Sequence, residues 1–291
     1  MTGSAAESRS LATPNGDTRT GVGPLLRQWR QRRRLSQLEL ALRADSSARH
    51  LSFVETGRSM PSRAMVLRLA EHLDVPVRDR NTLLVAAGYA PAYPETPLDD
   101  PAMATVRGGL VRLLDACEPN PALVLDGQFD VLMTNEPVLA LLDGVAPELL
   151  RPPINVMRLA LHPLGLAPRI VNLAEWRAHL LERMHRNMIP RGSSALRALY
   201  EEVAAYSVPD SARADDPTTE LSPAQAPSAL ALPLHILVHG QLLSFVSTMT
   251  TFNTPMDVTV SELAIEMFLP ADPRTAAALT HLGQPDAVQA G

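Results

Sequence analysis

The sequence predicts two domains of different class: an all-α bundle of five short helices at the N-terminus, then an α+β domain built on an antiparallel five-stranded sheet. Three observations carry this. Residues 22–88 hold five successive stretches with apolar residues at helical spacing, separated by residues suited to caps and tight turns. Pro91, Pro94, Pro97 and Pro101 then break any continuing helix. Beyond them come a two-strand pattern, several helical patterns and three further strand patterns, the order of an α+β domain rather than of alternating βαβ units.

A chain of 291 residues and 31.5 kDa is long enough for two independent cores. Charge is unevenly divided between them. Residues 1–88 carry fourteen arginines against eight acids, whereas residues 89–291 carry twelve against twenty-three, and the chain has no lysine. A basic domain on an acidic body is the electrostatic footprint of a phosphate-binding part. The single cysteine, Cys117, excludes an intrachain disulfide and a cysteine metal cluster and fits a cytoplasmic protein. Residues 1–21 lack the apolar core of a signal peptide and read as a disordered tail, as do residues 273–291. The most apolar run, Ala229 to Val246, is interrupted by Pro233, His235, His239 and Gly240, so no membrane span is expected.

The first helix is placed at Pro24–Arg34, with Leu25, Leu26 and Trp29 on one side and arginines around the rest. Ser36 to Glu39, SQLE, is a capping box that starts the second helix, whose inward face is Leu40, Ala41 and Ala44. Asp45 stands where the chain turns and tolerates a left-handed backbone. The third helix starts near Ser46 or Ser47 and buries Leu51 and Val54. Arg49, Ser52, Phe53 and Thr56 fall on its other face, and Gly57 ends it. A fourth helix runs from Ser62 through Leu73 and a fifth from Arg78 to Ala87.

After a proline-rich linker at 89–101, the second domain is bounded at 102–272. A helix from Ala102 to Ala116 leads to a hairpin, NPALVLDGQFDVLMTN, with Asp126-Gly127 as its turn and Phe129, Val131 and Met133 on one face of its second strand. Helical patterns follow at Pro137–Leu142, Ile154–Leu161, Leu173–Met188 and Ala195–Tyr206, then a polar loop from Pro209 to Pro227. Strands are expected at Leu234–Val238, Gln241–Phe252 and Val258–Leu269.

The run LSQLELALRADSSARHLSFVETGRSMPS resembles the helix-turn-helix core of the phage-repressor-like (XRE) DNA-binding domains. That resemblance implies that the third helix enters the major groove of double-stranded operator DNA. Carried over position by position, it implies that Gln37 holds the backbone at the start of helix two, and that Ser47, Ala48, Arg49, Ser52 and Phe53 face the groove. Arg49 suits a bidentate contact to guanine and Phe53 a thymine methyl. His50 is as well read as a packed or phosphate-touching residue. Arg27, Arg30, Arg32, Arg33, Arg34 and Arg58 are assigned to phosphates.

The second half, through PALVLDGQFDVLMTN and NVMRLALHPLGLAPRIVNLAEW, is similar to a PAS-like sensor sheet. With the first domain, the whole resembles the MmyB-like transcription regulators. The resemblance implies a dimeric regulator whose PAS-like domain holds a small apolar ligand, a fatty acid above all. Candidate pocket residues are Val131, Met133, Asn135, Leu139, Met157, Leu161, Trp176, Leu180, Met184 and Phe245. Met188, Met249 and Met267 are further flexible side chains able to line an adaptable pocket, although methionine at such spacing is also ordinary core. Asn135 is placed at the pocket mouth, with a helix cap as the alternative, and Arg158, Arg169 or Arg177 could pair with a carboxylate. The competing reading is a DNA-binding interaction protein whose second domain has a filled core and serves dimerisation or contact with RNA polymerase.

Signals for chemistry are absent. No Gly-rich phosphate loop, nucleophile elbow or His-Glu-x-x-His motif occurs, so neither an enzyme nor a cofactor is expected. His235 and His239, four apart with no acidic or thiol partner nearby, read as structural rather than as metal ligands.

Overall fold

The computed structural model describes residues 21–191, 193–207 and 231–282. They fall into two compact units, one reaching Ala92 apart from Pro76–Arg78 and one from Tyr93 onward. Most of the first expected tail, the loop from Pro209 to Pro227 and residues 283–291 lie outside the described residues.

The first unit is the predicted bundle: α1 (Val22–Arg32), α2 (Gln37–Arg43), α3 (Ala48–Glu55), α4 (Arg63–His72) and α5 (Val77–Ala86). Helix α1 begins before Pro24, which sits in its first turn, where a missing N–H forfeits no intrahelical bond. At α2 both halves of the capping box form, with Ser36 Oγ accepting from Glu39 N at 3.1 Å and Glu39 Oε2 accepting from Ser36 N at 2.7 Å. Asp45 takes the left-handed conformation (φ 48°) between α2 and α3. Ser47 Oγ then accepts from His50 N, and Gly57 (φ 73°) closes α3 while Arg58 N donates to Phe53 O at 2.8 Å. The core is Leu26, Trp29, Leu40, Ala41, Leu51, Val54, Val66 and Leu69, all buried. Helices α1 and α3 meet backbone to backbone: a Cβ on Gly23 would stand 2.4 Å from Val54 O.

The residues expected as a proline-rich linker are divided between the units. Tyr89 donates through its hydroxyl to Pro61 O and Ala92 N donates to Asn81 Oδ1, which fastens them to the helical bundle. Thr96 donates twice to Asp257 Oδ2, and Val258 N donates to Pro94 O, which fastens the next residues to the second unit.

That unit contains, after a 3-10 turn at Pro101–Met103, α6 (Ala104–Cys117), β1 (Ala122–Leu125), β2 (Val131–Thr134), α7 (Glu136–Leu141), α8 (Val156–Leu161), α9 (Leu173–Arg191), α10 (Ser194–Ala204), β3 (Leu234–Val238), β4 (Gln241–Thr251), α11 (Val258–Glu262), β5 (Ala264–Pro270) and α12 (Pro273–Leu282). The five strands form one antiparallel sheet in the order β2-β1-β5-β4-β3. Helix α6 covers one face, laying Leu110 and Leu114 on Ala122, Val124, Leu263 and Ile265. The other face carries the larger core, with α7 to α10 and α12 packed on Leu123, Leu125, Ile236, Leu243 and Phe245.

Three sequence expectations are corrected. The segment expected as a strand from Val258 begins as α11, because Asp257 Oδ1 accepts from Val260 N and caps a helical turn. The segment expected as a tail from residue 273 is α12 up to Leu282. Asp272 Oδ1 caps it by accepting from Thr275 N at 2.8 Å, and Ala278 and Leu279 bury against the sheet. Finally, Val131 and Met133 do not share a face. Val131 pairs with Leu125 but Met133 pairs with Val124, a register shift that inserts Leu132 as an extra residue. Val131 therefore packs into the larger core and Met133 beneath α6.

Candidate functional site

Helix α3 presents a polar surface over an apolar seat. Leu51 and Val54 are fully buried, while Ser47 and Arg49 are exposed and Ala48, His50, Ser52 and Phe53 are partly so. The Arg49 guanidinium lies over the Phe53 ring, 5.5 Å from its centre, so the two side chains form one composite surface on successive turns. Arg58 beyond the helix and Arg27 on α1 are exposed.

Other residues assigned to DNA are occupied elsewhere. Glu55, at the end of α3, has a side chain only 1% exposed. It accepts from Arg30 Nε (2.6 Å) and Nη2 (2.9 Å), and from Gln37 Nε2 (2.8 Å). Arg30 Nη1 also donates to Leu35 O, and hydrogen bonding to Glu55 holds its guanidinium above the ordinary arginine range. One carboxylate thus fastens α1, α2 and α3 together. Gln37 and Arg30, both assigned to DNA, meet at this carboxylate. Arg33 donates to Leu73 O and Asp74 O, both at 2.8 Å, so it closes the C-terminal end of α4.

In the second unit, a cavity of about 150 Å³ lies between the sheet and α7 to α9. Its walls are aliphatic apart from Trp176, Phe268, Thr134 and one charged pair. Leu139, half-exposed, stands at its rim. Of the ten candidate pocket residues, Val131, Leu139, Met157, Trp176 and Leu180 line the cavity. Met133, Asn135, Leu161, Met184 and Phe245 do not. The bulge turns Met133 to the opposite face of the sheet, while Leu161 and Met184 are buried in the core. Phe245 is fully buried, edge-on to Phe268, and it is Phe268 that reaches the cavity. Asn135 is a structural clamp: its Oδ1 accepts from Ala122 N and its Nδ2 donates to Asn120 O, both at 2.9 Å.

The arginines considered for a carboxylate also have partners within the domain, although Arg177 Nε is buried without one. Arg158 forms a bidentate pair with Glu202, Arg169 donates to the carbonyls of Leu141 and Asp143, and Arg177 donates to Ala204 O. The charged pair that does line the cavity is Arg183 of α9 with Glu266 of β5. Nη1 and Nη2 donate to the two carboxylate oxygens at 2.8 and 3.0 Å, and Ser247 Oγ donates to Oε1 at 2.7 Å. Both side chains are largely buried, 13% and 3% exposed. The signal for Glu266 was in the sequence: a single acid alternating with Ile265 and Met267 falls on the opposite face of its strand, and that face is covered by helices.

His235, read as structural, is buried, and its Nδ1 lies 2.8 Å from Ser244 Oγ on the neighbouring strand; burial lowers its pKa. Cys117 is partly buried, which raises its thiol pKa away from reactivity. No helix among the described residues is long and apolar enough to cross a membrane.

A family model described as the MmyB-like transcription regulator ligand binding domain matches residues 106–282, more than half of the chain. The chain belongs to the MmyB-like transcription regulators. In this MmyB-like regulator a helix-turn-helix model also matches residues 26–79, from within α1 through α2, α3 and α4 to the start of α5. The MmyB-like regulator is therefore a DNA-binding transcription regulator with a ligand-binding domain, and both matched families are regulator domains rather than enzymes. No curated protein matches the chain.

Proposed function

We propose that α3 reads operator DNA through Arg49, Ser52 and Phe53, with Arg27 and Arg58 on phosphates, and that an aliphatic ligand of the fatty-acid type in the second unit sets the affinity of a homodimer for that DNA. The observation that carries the ligand half is the cavity: an apolar space bounded by Val131, Leu139, Met157, Trp176 and Leu180, with its few polar groups gathered at one charged pair. An apolar cavity of about this size accepts a benzene-sized guest, so a short to medium chain fills it, with longer chains leaving past Leu139. The DNA half rests on Arg49 and Phe53 standing together on the exposed side of a helix whose other side is fully buried. Two such helices in a dimer would read half-sites about one helical turn apart.

The test is DNA binding to a duplex selected from a random pool, measured with and without octanoic acid. Occupancy should change the affinity by roughly 5- to 150-fold, the usual range of allosteric coupling. Ala160→Phe, which fills the cavity from α8, should abolish the change while leaving ligand-free DNA binding intact. DNA binding that ignores the acid, in a protein purified with an empty cavity, would refute the ligand half of the reading. Arg49→Ala should relax sequence preference; equal losses on all sequences would refute its base-reading role.

A further inference from the structure

We propose that the Arg183–Glu266 pair is the end wall of the cavity and sets how far an acyl chain can enter, because it divides a longer trough in two. This rests on the reading of the cavity as an aliphatic-ligand site. Beyond the pair lies a second pocket of about 120 Å³, bordered by Leu125, Phe129, Asn187, Met249, Thr251 and Ala264. Among the described residues, Arg183 is the one that borders both spaces. The periodicity of the surrounding elements puts the two on one line. On α9, Trp176 and Leu180 border the cavity and Asn187 the second pocket, with Arg183 between them, the i, i+4, i+7 and i+11 positions of a single helix face. On β5, Phe268 borders the cavity and Ala264 the second pocket, with Glu266 between them on the same face. On β1, Leu123 pairs with Glu266 and borders the cavity, while Leu125 pairs with Ala264 and borders the second pocket. A floor of strands and a roof of helix thus run on unbroken for about 16 Å of α9, and two charged side chains interrupt the space between them.

The partition is firmly held. The two terminal nitrogens of Arg183 donate to both oxygens of Glu266, Ser247 Oγ braces that carboxylate, and the Phe129 ring lies against the guanidinium, 5.4 Å from its centre to Cζ. An alkyl terminus brings no group that could replace these bonds, and parting the two charges would leave each without its partner in a setting of low polarity. A chain that enters methyl end first therefore stops at the pair. Without the Arg183 side chain it would run on against Leu125 and Phe129, which belong to the same buried cluster as the cavity wall. Asp126 and Glu262 also border the second pocket, so a carboxylate is the wrong end to send there. The polar head stays at the half-exposed rim by Leu139.

Calorimetric titration of the full chain with octanoic, decanoic, dodecanoic and tetradecanoic acids tests this. In the wild type the affinity should rise about fourfold per methylene until the cavity is full and then level off. Arg183→Ala with Glu266→Gln removes the charges and opens the trough. Its rise should continue for at least two more methylenes, a gain of roughly fifteenfold for tetradecanoic acid relative to octanoic acid. Arg183→Met with Glu266→Gln removes the same charges but keeps a side chain of similar length across the trough, and it should level off where the wild type does. Equal chain-length profiles in the alanine and methionine variants overturn the proposal and leave the aliphatic-ligand reading standing. Binding of none of the acids overturns that reading and this one with it. Decanoic acid carrying a diazirine at its terminal carbon, photolysed in the wild type, should label Leu180, Arg183 or Phe268 and spare Phe129 and Asn187. Label on Phe129 or Asn187, or none beside Arg183, overturns the proposal even if the variants do not fold.

Discussion

Glu55→Ala removes the carboxylate that fastens three helices around the DNA-reading element. The variant deletes three hydrogen bonds, two of them to a guanidinium only 11% exposed, and leaves Arg30 charged in a closed site with Leu35 O as its remaining partner. Breaking a buried pair from one side costs about 3–5 kcal/mol, well below a simple sum of three bonds to charged groups, because the remaining partner relaxes. In a domain of this size each kcal/mol moves the melting temperature by about 4–8 °C, so the helical unit should melt at least about 12 °C lower. Trp29 is buried in that unit and Trp176 in the other, so urea unfolding followed by fluorescence in a Trp176→Phe background isolates the first transition. The pair Arg30→Met with Glu55→Leu should recover most of the loss, since removing both charges removes the uncompensated one. A loss below about 1 kcal/mol, the value of an exposed ion pair, would refute the strut, and so would failure of the apolar pair to recover it.

Gly23→Ala should destabilise the same unit by about 1–3 kcal/mol despite alanine's better helix propensity, because its methyl group meets Val54 O and the two helices must part; equal stability in urea would refute the close crossing. Arg33→Ala should lower the melting temperature yet leave the salt dependence of DNA binding unchanged, whereas Arg27→Ala or Arg58→Ala should reduce the slope of log affinity against log salt by about one. In the second unit the Arg158 guanidinium, and after it the Tyr206 hydroxyl, hold the Glu202 carboxyl at about 2. Its folded value lies below the unfolded one, so its contribution is present above the usual carboxylate range and is lost as the pH falls towards 2. With 40% of the side chain exposed, that contribution is discounted to about 1 kcal/mol. Glu202→Gln should therefore cost about 1 kcal/mol at pH 7 and progressively less as the pH falls towards 2 in urea titrations.

Local chemistry was legible and long-range pairing was not. Ser36 with Glu39, Asp45, Ser47 and Gly57 each act within a few residues, so their roles could be read from neighbours alone. Glu55 and Arg30 are 25 residues apart, and Arg183 and Glu266 are 83 apart. At such separations an arginine on a basic helix looks the same whether it meets DNA or a buried acid. The sequence alone therefore shows the DNA role open to Arg30, Arg33 and Gln37 but not their bonds within the fold. Helix α12 was legible in principle, since Asp272 followed by Pro273 is a cap with proline at the first helical position. The cavity was half legible. Apolar type and spacing find the residues of the covered face, but they do not separate those that border the empty space, such as Met157, from those packed beside it, such as Met184.

The extra residue at Leu132 bears on how this cavity diversifies. Below the bulge the sheet offers Val131 to the ligand side, and above it Thr134, with Met133 turned away between them. Deleting Leu132 would leave Val131, Met133 and Thr134 in regular register with Leu125, Val124 and Leu123, so each would keep its present face and the loss would be of the local bend alone. Substitution trims the chamber by single methyl groups. The bulge residue can come and go without moving the residues that face the chamber.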